Sequence, residues 1–438
     1  MRPADEKGDL FEGRPAQPRR RGEAAEPRAP EGGCGEKTKD STLPGRCRDA
    51  EPEDSILSSA SPNTILFVAN ALDNFVHHRR NVVEAAAGAG FRPVVFAVGS
   101  DRETDTTGFE YRPIRLERHR FALGRDAGLF LTVLRFLLTE KPAAVHFINI
   151  KPYLYGGLAV RVARLFGWRG RTVVTVPGLG RLYDRAADGS RAAAFRRAVV
   201  EVFLRIGMKT ARVSFETAHD RDVWLSRRLI TGDQAFVTKG AGVDLGRFHG
   251  GLRADPADRL SVLFAGRLLR SKGLDVVLRA GALLAGRSDI ELLVAGFVER
   301  DDPDGVSVEE IEAAETVTFL GPVRDMPDLL ARCGVVVLPS RYNEGVPRIL
   351  IEAAACGCVP VATRFAGSEA LIAEGETGFF LGEGSVEAQA ARLADVSLEL
   401  RRDDARRLAM GRRAAAFVRD NGFGARDVAA VFLAEYTA

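Results

Sequence analysis

From Thr64 onward the sequence alternates short β-branched runs with helical stretches: TILFVAN, RNVVEAAAGAG, PVVFAVG, GLFLTVLRFLLTE, AAVHFINI, LAVRVARLFG and RTVVTV. Strand and helix alternating at this spacing build parallel βαβ units, which leaves few other folds open. The pattern pauses at KGAGVDLGRFHGGLRADPADR, rich in Gly and Asp, and restarts at SVLFAGR, LDVVLRAGALLAG, IELLVAG, VTFLG, GVVVLPS, RILIEAAACG, VPVAT and TGFFL. The chain therefore reads as two doubly wound, Rossmann-like α/β domains in tandem, the first over 61–240. Its 438 residues suit two such cores plus a tail. Ligands of open parallel sheets lie beyond the carboxyl ends of the strands, so function is sought in the strand-to-helix loops facing a cleft.

Residues 1–60 mix charges with Gly, Pro and Ser without an apolar period and are predicted to be a disordered tail. They contain no apolar h-region, and no window reaches the roughly 18 apolar residues of a membrane span. The expected location is the cytoplasm. Five cysteines, Cys34, Cys47, Cys333, Cys356 and Cys358, are too sparse for a disulfide framework. Cys356 and Cys358 read as buried small residues rather than a metal pair.

Charge is divided unevenly. Residues 64–240 hold 28 Lys and Arg against 16 Asp and Glu, whereas residues 241–438 hold 23 against 30. The basic first domain is expected to face an anionic partner, phosphate groups or a membrane surface, with solvated surface charge as the plain alternative. No basic-aromatic motif accompanies the charge, which argues against nucleic acid.

The loop after GVVVLPS reads RYNEGVPRILIEAAACG. Pro347 fits a first helical position and Gly345 lets a ligand approach the backbone. Glu352 lies about one and a half turns into that helix, roughly 8 Å from its start at 1.5 Å per residue, so that Glu344 and Glu352 can grip two parts of one polar ligand. The other reading makes Glu344 a cap and Glu352 a surface residue. After SVLFAGR, Arg267 and Lys272 place two cations where they can neutralise a diphosphate, or they are ordinary surface charge.

Taken together, VLFAGRLLRSKGLD, GVDLGRF and PSRYNEGVPRILIEAAACGCVPVATRFAGSEALIAEGETGFFL resemble the retaining GT-B glycosyltransferases of family four, whose hallmark is two glutamates separated by seven residues. The resemblance implies that Arg267 and Lys272 bind the donor diphosphate, that Glu344 with the backbone of Gly345, Val346 and Pro347 binds the donor sugar, and that Glu352 binds the ribose. Glu344, Arg267 and Lys272 are then the expected catalytic set. It implies a nucleotide-sugar domain over 241–421 and a helix over 422–438 crossing back to the first domain. The donor is a nucleotide-sugar, UDP by family habit, acting as co-substrate; no cofactor or metal is expected.

The first half, with NALDNFVHHRRNVVEAA, VHFINIKPYLYGGLAVRVARLFG and TVPGLGRLYD, looks like the branch that extends polyprenyl-diphosphate saccharides in bacterial surface polysaccharide synthesis at the inner face of the cytoplasmic membrane. Arg79 is the candidate contact to acceptor phosphate, against a solvated helix start, and Lys151, Gly178 and Gly180 match the branch. Many relatives place a polar residue where this chain has Pro177, which cannot hydrogen-bond through its side chain. His146 and His219 read as structural. RAAAFRRAVVEVFLRIGMKTAR reads either as an amphipathic helix suited to an anionic interface or as a packing helix. Asp302 and Asp304 form an Asp-x-Asp, read as a solvated loop. Rival readings are transfer to a soluble acceptor such as a sugar phosphate, and an inactive relative that binds nucleotide-sugar or glycan.

Overall fold

A computed structural model describes residues 63–99, 104–116, 123–178, 191–252, 258–298, 302–342 and 344–438. The tail expected over 1–60 lies outside the described residues, as does Gly180.

The first half runs β1 (Thr64–Ala69), α1 (Leu72–Gly88), β2 (Arg92–Ala97), β3 (Glu110–Pro113), α2 (Leu123–Thr139), β4 (Ala144–Ile148), α3 (Ile150–Leu165), β5 (Arg171–Val176), α4 (Arg191–Met208), β6 (Arg212–Phe215), α5 (Ala218–Ser226) and β7 (Ala235–Val237). Its strands form one sheet in the order β3-β2-β1-β4-β5-β6-β7, every pair parallel. Every residue of β1 is buried, as expected where helices cover both faces of a parallel sheet.

The second half runs β8 (Leu260–Arg267), α6 (Leu274–Leu283), β9 (Ile290–Phe297), α7 (Val308–Glu312), β10 (Thr318–Gly321), α8 (Met326–Arg332), β11 (Val335–Leu338), α9 (Arg348–Ala355), β12 (Val359–Ala362), α10 (Ala366–Glu369) and β13 (Phe379–Phe380), then α11 (Val386–Arg402), α12 (Asp404–Asp420) and α13 (Ala425–Thr437). The sheet order β10-β9-β8-β11-β12-β13 is again parallel throughout. Both sheets reverse their winding beside their first strand, between β1 and β4 and between β8 and β11. A crevice opens at the carboxyl ends of the strands at each such point.

The last helix does not belong to the sheet that precedes it. Val428, Phe432 and Tyr436 of α13 are buried with Ile65, Phe67 and Phe75 of the first half. The outgoing and returning chains touch where they pass: Val243 N–H donates to Phe423 O at 3.0 Å and Ala425 N–H to Val243 O at 2.8 Å. Asn81 of α1 donates to Ala241 O and Ala425 O, fastening both passages to the first half.

His146 of β4 is fully buried, its Nδ1 2.6 Å from Tyr436 Oη and its Nε2 2.7 Å from Thr175 Oγ1. Both ring nitrogens are thus satisfied, in keeping with a structural role. Burial, reinforced by the nearby Arg79 charge, holds its pKa well below the usual value, so it stays neutral in the folded chain. The unfolded chain takes up that proton near pH 6.5, so the unfolded state binds more protons below this pH and stability falls as the pH drops through it. The slope from one such proton approaches about 1.4 kcal/mol per pH unit. Urea midpoints measured from pH 7.5 to 5.5 are expected to fall, and to fall less steeply in His146→Gln. Equal slopes in the two proteins would contradict the assignment.

Candidate functional site

The site is built on the loops after β8 and β11. Arg267 ends β8 and is exposed, with its guanidinium donating to Tyr342 Oη at 3.3 Å. The chain then makes a 3-10 turn, Arg270–Lys272, closed by Gly273 at φ 79°. Only glycine suits this point, because a Cβ there meets the backbone of Pro339 and the positive φ strains any L side chain. Asp304 holds the turn from outside: its carboxylate accepts from Ser271 N–H at 2.9 Å and its carbonyl from Arg270 N–H at 2.9 Å. The Asp-x-Asp acid is therefore engaged in shaping the turn that carries Lys272.

Lys272 and Glu344 meet across these loops, Nζ to Oε2 at 2.5 Å, with side chains 14% and 15% exposed. The Lys272 ammonium also lies 5.2 Å from the Tyr342 ring centroid. The other Glu344 oxygen, Oε1, is buried and has no hydrogen-bond partner among the described residues. A buried carboxylate oxygen held without a donor costs free energy unless a ligand hydroxyl or N–H supplies one.

Gly345, Val346 and Pro347 follow, all buried. Pro347, at φ −65°, caps α9 rather than starting it, so helical geometry begins one residue later, at Arg348. Glu352 is not a surface residue: it is 6% exposed and its carboxylate accepts from Arg348 Nε at 2.7 Å. Burial raises its pKa against the pull of Arg348.

The first half closes on this loop through Glu216, the residue after β6, which no sequence motif marks. Its Oε2 accepts from Val346 N–H at 3.1 Å, and its Oε1 accepts from the guanidinium of Arg79 at 3.0 Å. Burial pushes the Glu216 carboxyl up while Arg79 and the Val346 N–H pull it down. Gly345 faces the same point, where a Cβ would meet the Pro177 carbonyl and the Glu216 carboxylate. Pro177 thus adjoins the site with its backbone instead of a polar side chain. Arg348 adds a further tie by donating to His77 O. His78 is held neutral well below its usual range, first by burial and then by the neighbouring His77, Arg79, Arg348 and Lys272.

Arg79 does not stand at a solvated helix start; it is 2% exposed and ion-paired to Glu216. Lys151 is buried in the first turn of α3. Gly178 follows β5 and is half-buried. Among the described residues no group of three His, Cys, Asp or Glu has the arrangement of a metal site, and Cys333, Cys356 and Cys358 are buried.

Two facing parallel-sheet domains with the site between their loops define the GT-B architecture. Residues 253–415 match the family described as glycosyl transferases group 1. The chain is 36% identical over 190 residues to the D-inositol 3-phosphate glycosyltransferase of Arthrobacter sp. (strain FB24), covering 42% of this chain and 44% of that protein. The match therefore spans less than half the length of this curated relative. Among solved structures, sucrose-phosphate synthase from Thermosynechococcus elongatus superposes with a TM-score of 0.68 at 19% identity, covering 86% of this chain and 98% of the other. HepE of Anabaena in complex with UDP and glucose superposes at 0.66 with 18% identity, covering 85% and 99%. These likenesses establish the fold, and the family match supports a group 1 glycosyltransferase.

Proposed function

We propose that this protein transfers a sugar from a nucleotide-sugar, with UDP as the nucleotide, to an acceptor saccharide carried on polyprenyl diphosphate. The observation that carries the donor half of this reading is the Lys272–Glu344 pair, with one carboxylate oxygen on the ammonium and the other unpartnered. In this reading Glu344 Oε1 accepts a donor-sugar hydroxyl, Lys272 and Arg267 meet the charge growing on the leaving diphosphate, and Glu352 accepts from the ribose. A new bond forms between the acceptor oxygen and the anomeric carbon as the bond from that carbon to the diphosphate breaks. The acceptor proton passes to the departing diphosphate on the same face, so configuration is retained and no metal is required. Anabaena HepE, which shares the fold and was solved in complex with UDP and glucose, is consistent with this choice of nucleotide.

The lipid half of the reading draws on α4. This helix buries Val200, Leu204 and Met208 in the core while exposing Phe195, Val199, Val202, Phe203 and Ile206 on its other side. An exposed apolar stripe on a basic helix suits the interface of an anionic membrane, and no helix among the described residues is long and apolar enough to cross one. Co-sedimentation with anionic vesicles is expected to fall at least tenfold in Phe195→Glu/Phe203→Glu. Unchanged binding would remove α4 from the interface.

A second reading, transfer to a soluble phosphorylated acceptor, is favoured by the likeness to a D-inositol 3-phosphate glycosyltransferase. The test follows radiolabelled sugar from UDP- and GDP-sugars in EDTA, offering membrane-extracted polyprenyl-diphosphate saccharide or inositol 3-phosphate. Label in lipid supports the first reading and label in the soluble product the second. Label in neither would overturn both.

A further inference from the structure

A second basic site lies at the amino-terminal ends of β5 and β6, the edge of the first sheet opposite the interdomain loops. A cavity of about 290 Å³ is lined there by Arg164, Arg169, Arg171, Arg212, Thr172 and Thr210. Among these arginines only Arg212 has a carboxylate, Glu435 of α13, held by two bonds of 2.7 Å.

The other three guanidiniums have no acidic partner among the described residues. Arg164 donates to Gly170 O at 3.1 Å and lies over the Trp168 ring at 5.3 Å. Arg169 donates to Arg164 O at 2.9 Å and to Trp168 O at 3.2 Å. Like charges crowd Arg164: burial and the neighbouring Arg161 and Arg169 all act to lower its pKa. Two donors within this cluster are also buried without a hydrogen-bond partner, Arg164 Nε and the hydroxyl of Thr172, a residue only 3% exposed. Buried polar atoms are nearly always paired, and three guanidiniums converging without a carboxylate repel one another unless an anion joins them.

We propose that this pocket binds a phosphate monoester or diphosphate group. Guanidinium forks match phosphate oxygens bidentately, and a doubly charged group answers three unpaired cations better than one carboxylate does. The Thr172 hydroxyl then donates to a phosphate oxygen at the floor of the cavity. The group can come from a free phosphate ester or from a lipid headgroup. Leu165 and Phe166, 85% and 72% exposed, directly follow Arg164 and suit the second source. This site is separate from the sugar-transfer reading and does not depend on it.

The test titrates pyrophosphate and glycerol 3-phosphate into the full chain by calorimetry, and sediments it with phosphatidylcholine vesicles with and without phosphatidic acid. Arg169→Gln/Arg171→Gln is the pocket variant, Arg169→Glu alone the milder one at an exposed residue, and Lys272→Ala the interdomain control. Soluble phosphate binding weakened at least tenfold in both pocket variants and retained in Lys272→Ala supports the pocket with a free ligand. Binding confined to phosphatidic acid vesicles and lost in the same variants supports it with a lipid ligand. Absence of binding in every arm, or binding that the pocket variants leave unchanged, overturns the proposal.

Discussion

Lys272→Ala is expected to lower sugar-transfer turnover by about 10²- to 10³-fold, the usual cost of removing one preorganised group that meets charge developing on a leaving oxygen. The geometry makes the loss twofold in kind. In the proposed reading the diphosphate loses the cation at the end of the Arg270–Lys272 turn, and Glu344 loses the ammonium 2.5 Å from its Oε2 that anchors its carboxylate. Lys272→Arg is not expected to restore the rate, because a planar fork does not replace a point charge in a space closed by Tyr342. Steady-state kinetics with circular dichroism as a folding control checks this. Turnover within a few-fold of the wild type would place the leaving-group charge elsewhere.

Arg79→Met is expected to cost about 3–5 kcal/mol of stability, because it leaves the buried Glu216 carboxylate without its cation. The pair is 2% and 8% exposed, so water cannot easily take the guanidinium's place. Replacing both partners, Arg79→Met/Glu216→Gln, is expected to recover part of the loss, since no uncompensated charge then remains buried. Because Glu216 also accepts from Val346 N–H, the single variant should raise the donor KM as well. Urea unfolding of the wild type and both variants, with donor kinetics alongside, separates these effects. A midpoint unmoved in Arg79→Met would show that the pair carries no net stability.

The fold was legible where apolar runs are long enough to show a period. The strands of the second sheet fall on such runs, from SVLFAGR to TGFFL, and β11 and β12 are buried along their whole length, as parallel strands covered on both faces are. In the first sheet β3 (EYRP) and β6 (RVSF) mix charged or polar residues into four positions and β7 has only three residues, so no apolar run marks them. Arg267, Lys272 and Glu344 were legible because each sits in or beside a loop that follows a recognisable strand. Glu216 was not, since its partners Arg79 and Val346 lie 137 and 130 residues away, and no local pattern records a pairing at that distance. Arg79 stood out as a charge near a helix start, but the sequence could not show that a carboxylate already faces it. The Thr172 hydroxyl and the arginines around it were invisible for the same reason: the helix and strands that carry them converge only in the folded chain.

If one nucleotide-sugar spans Glu352, Lys272 and Glu344, its two ends can be separated by mutation. Calorimetric titration of UDP and of a panel of UDP-sugars into the wild type, Glu344→Ala and Glu352→Ala is the decisive measurement. Glu352→Ala is expected to weaken UDP and UDP-sugar alike, whereas Glu344→Ala is expected to leave UDP affinity unchanged and to remove only the increment due to the sugar. Absence of nucleotide-sugar binding to the wild type, or affinities equal in all three proteins, would contradict this arrangement of the donor.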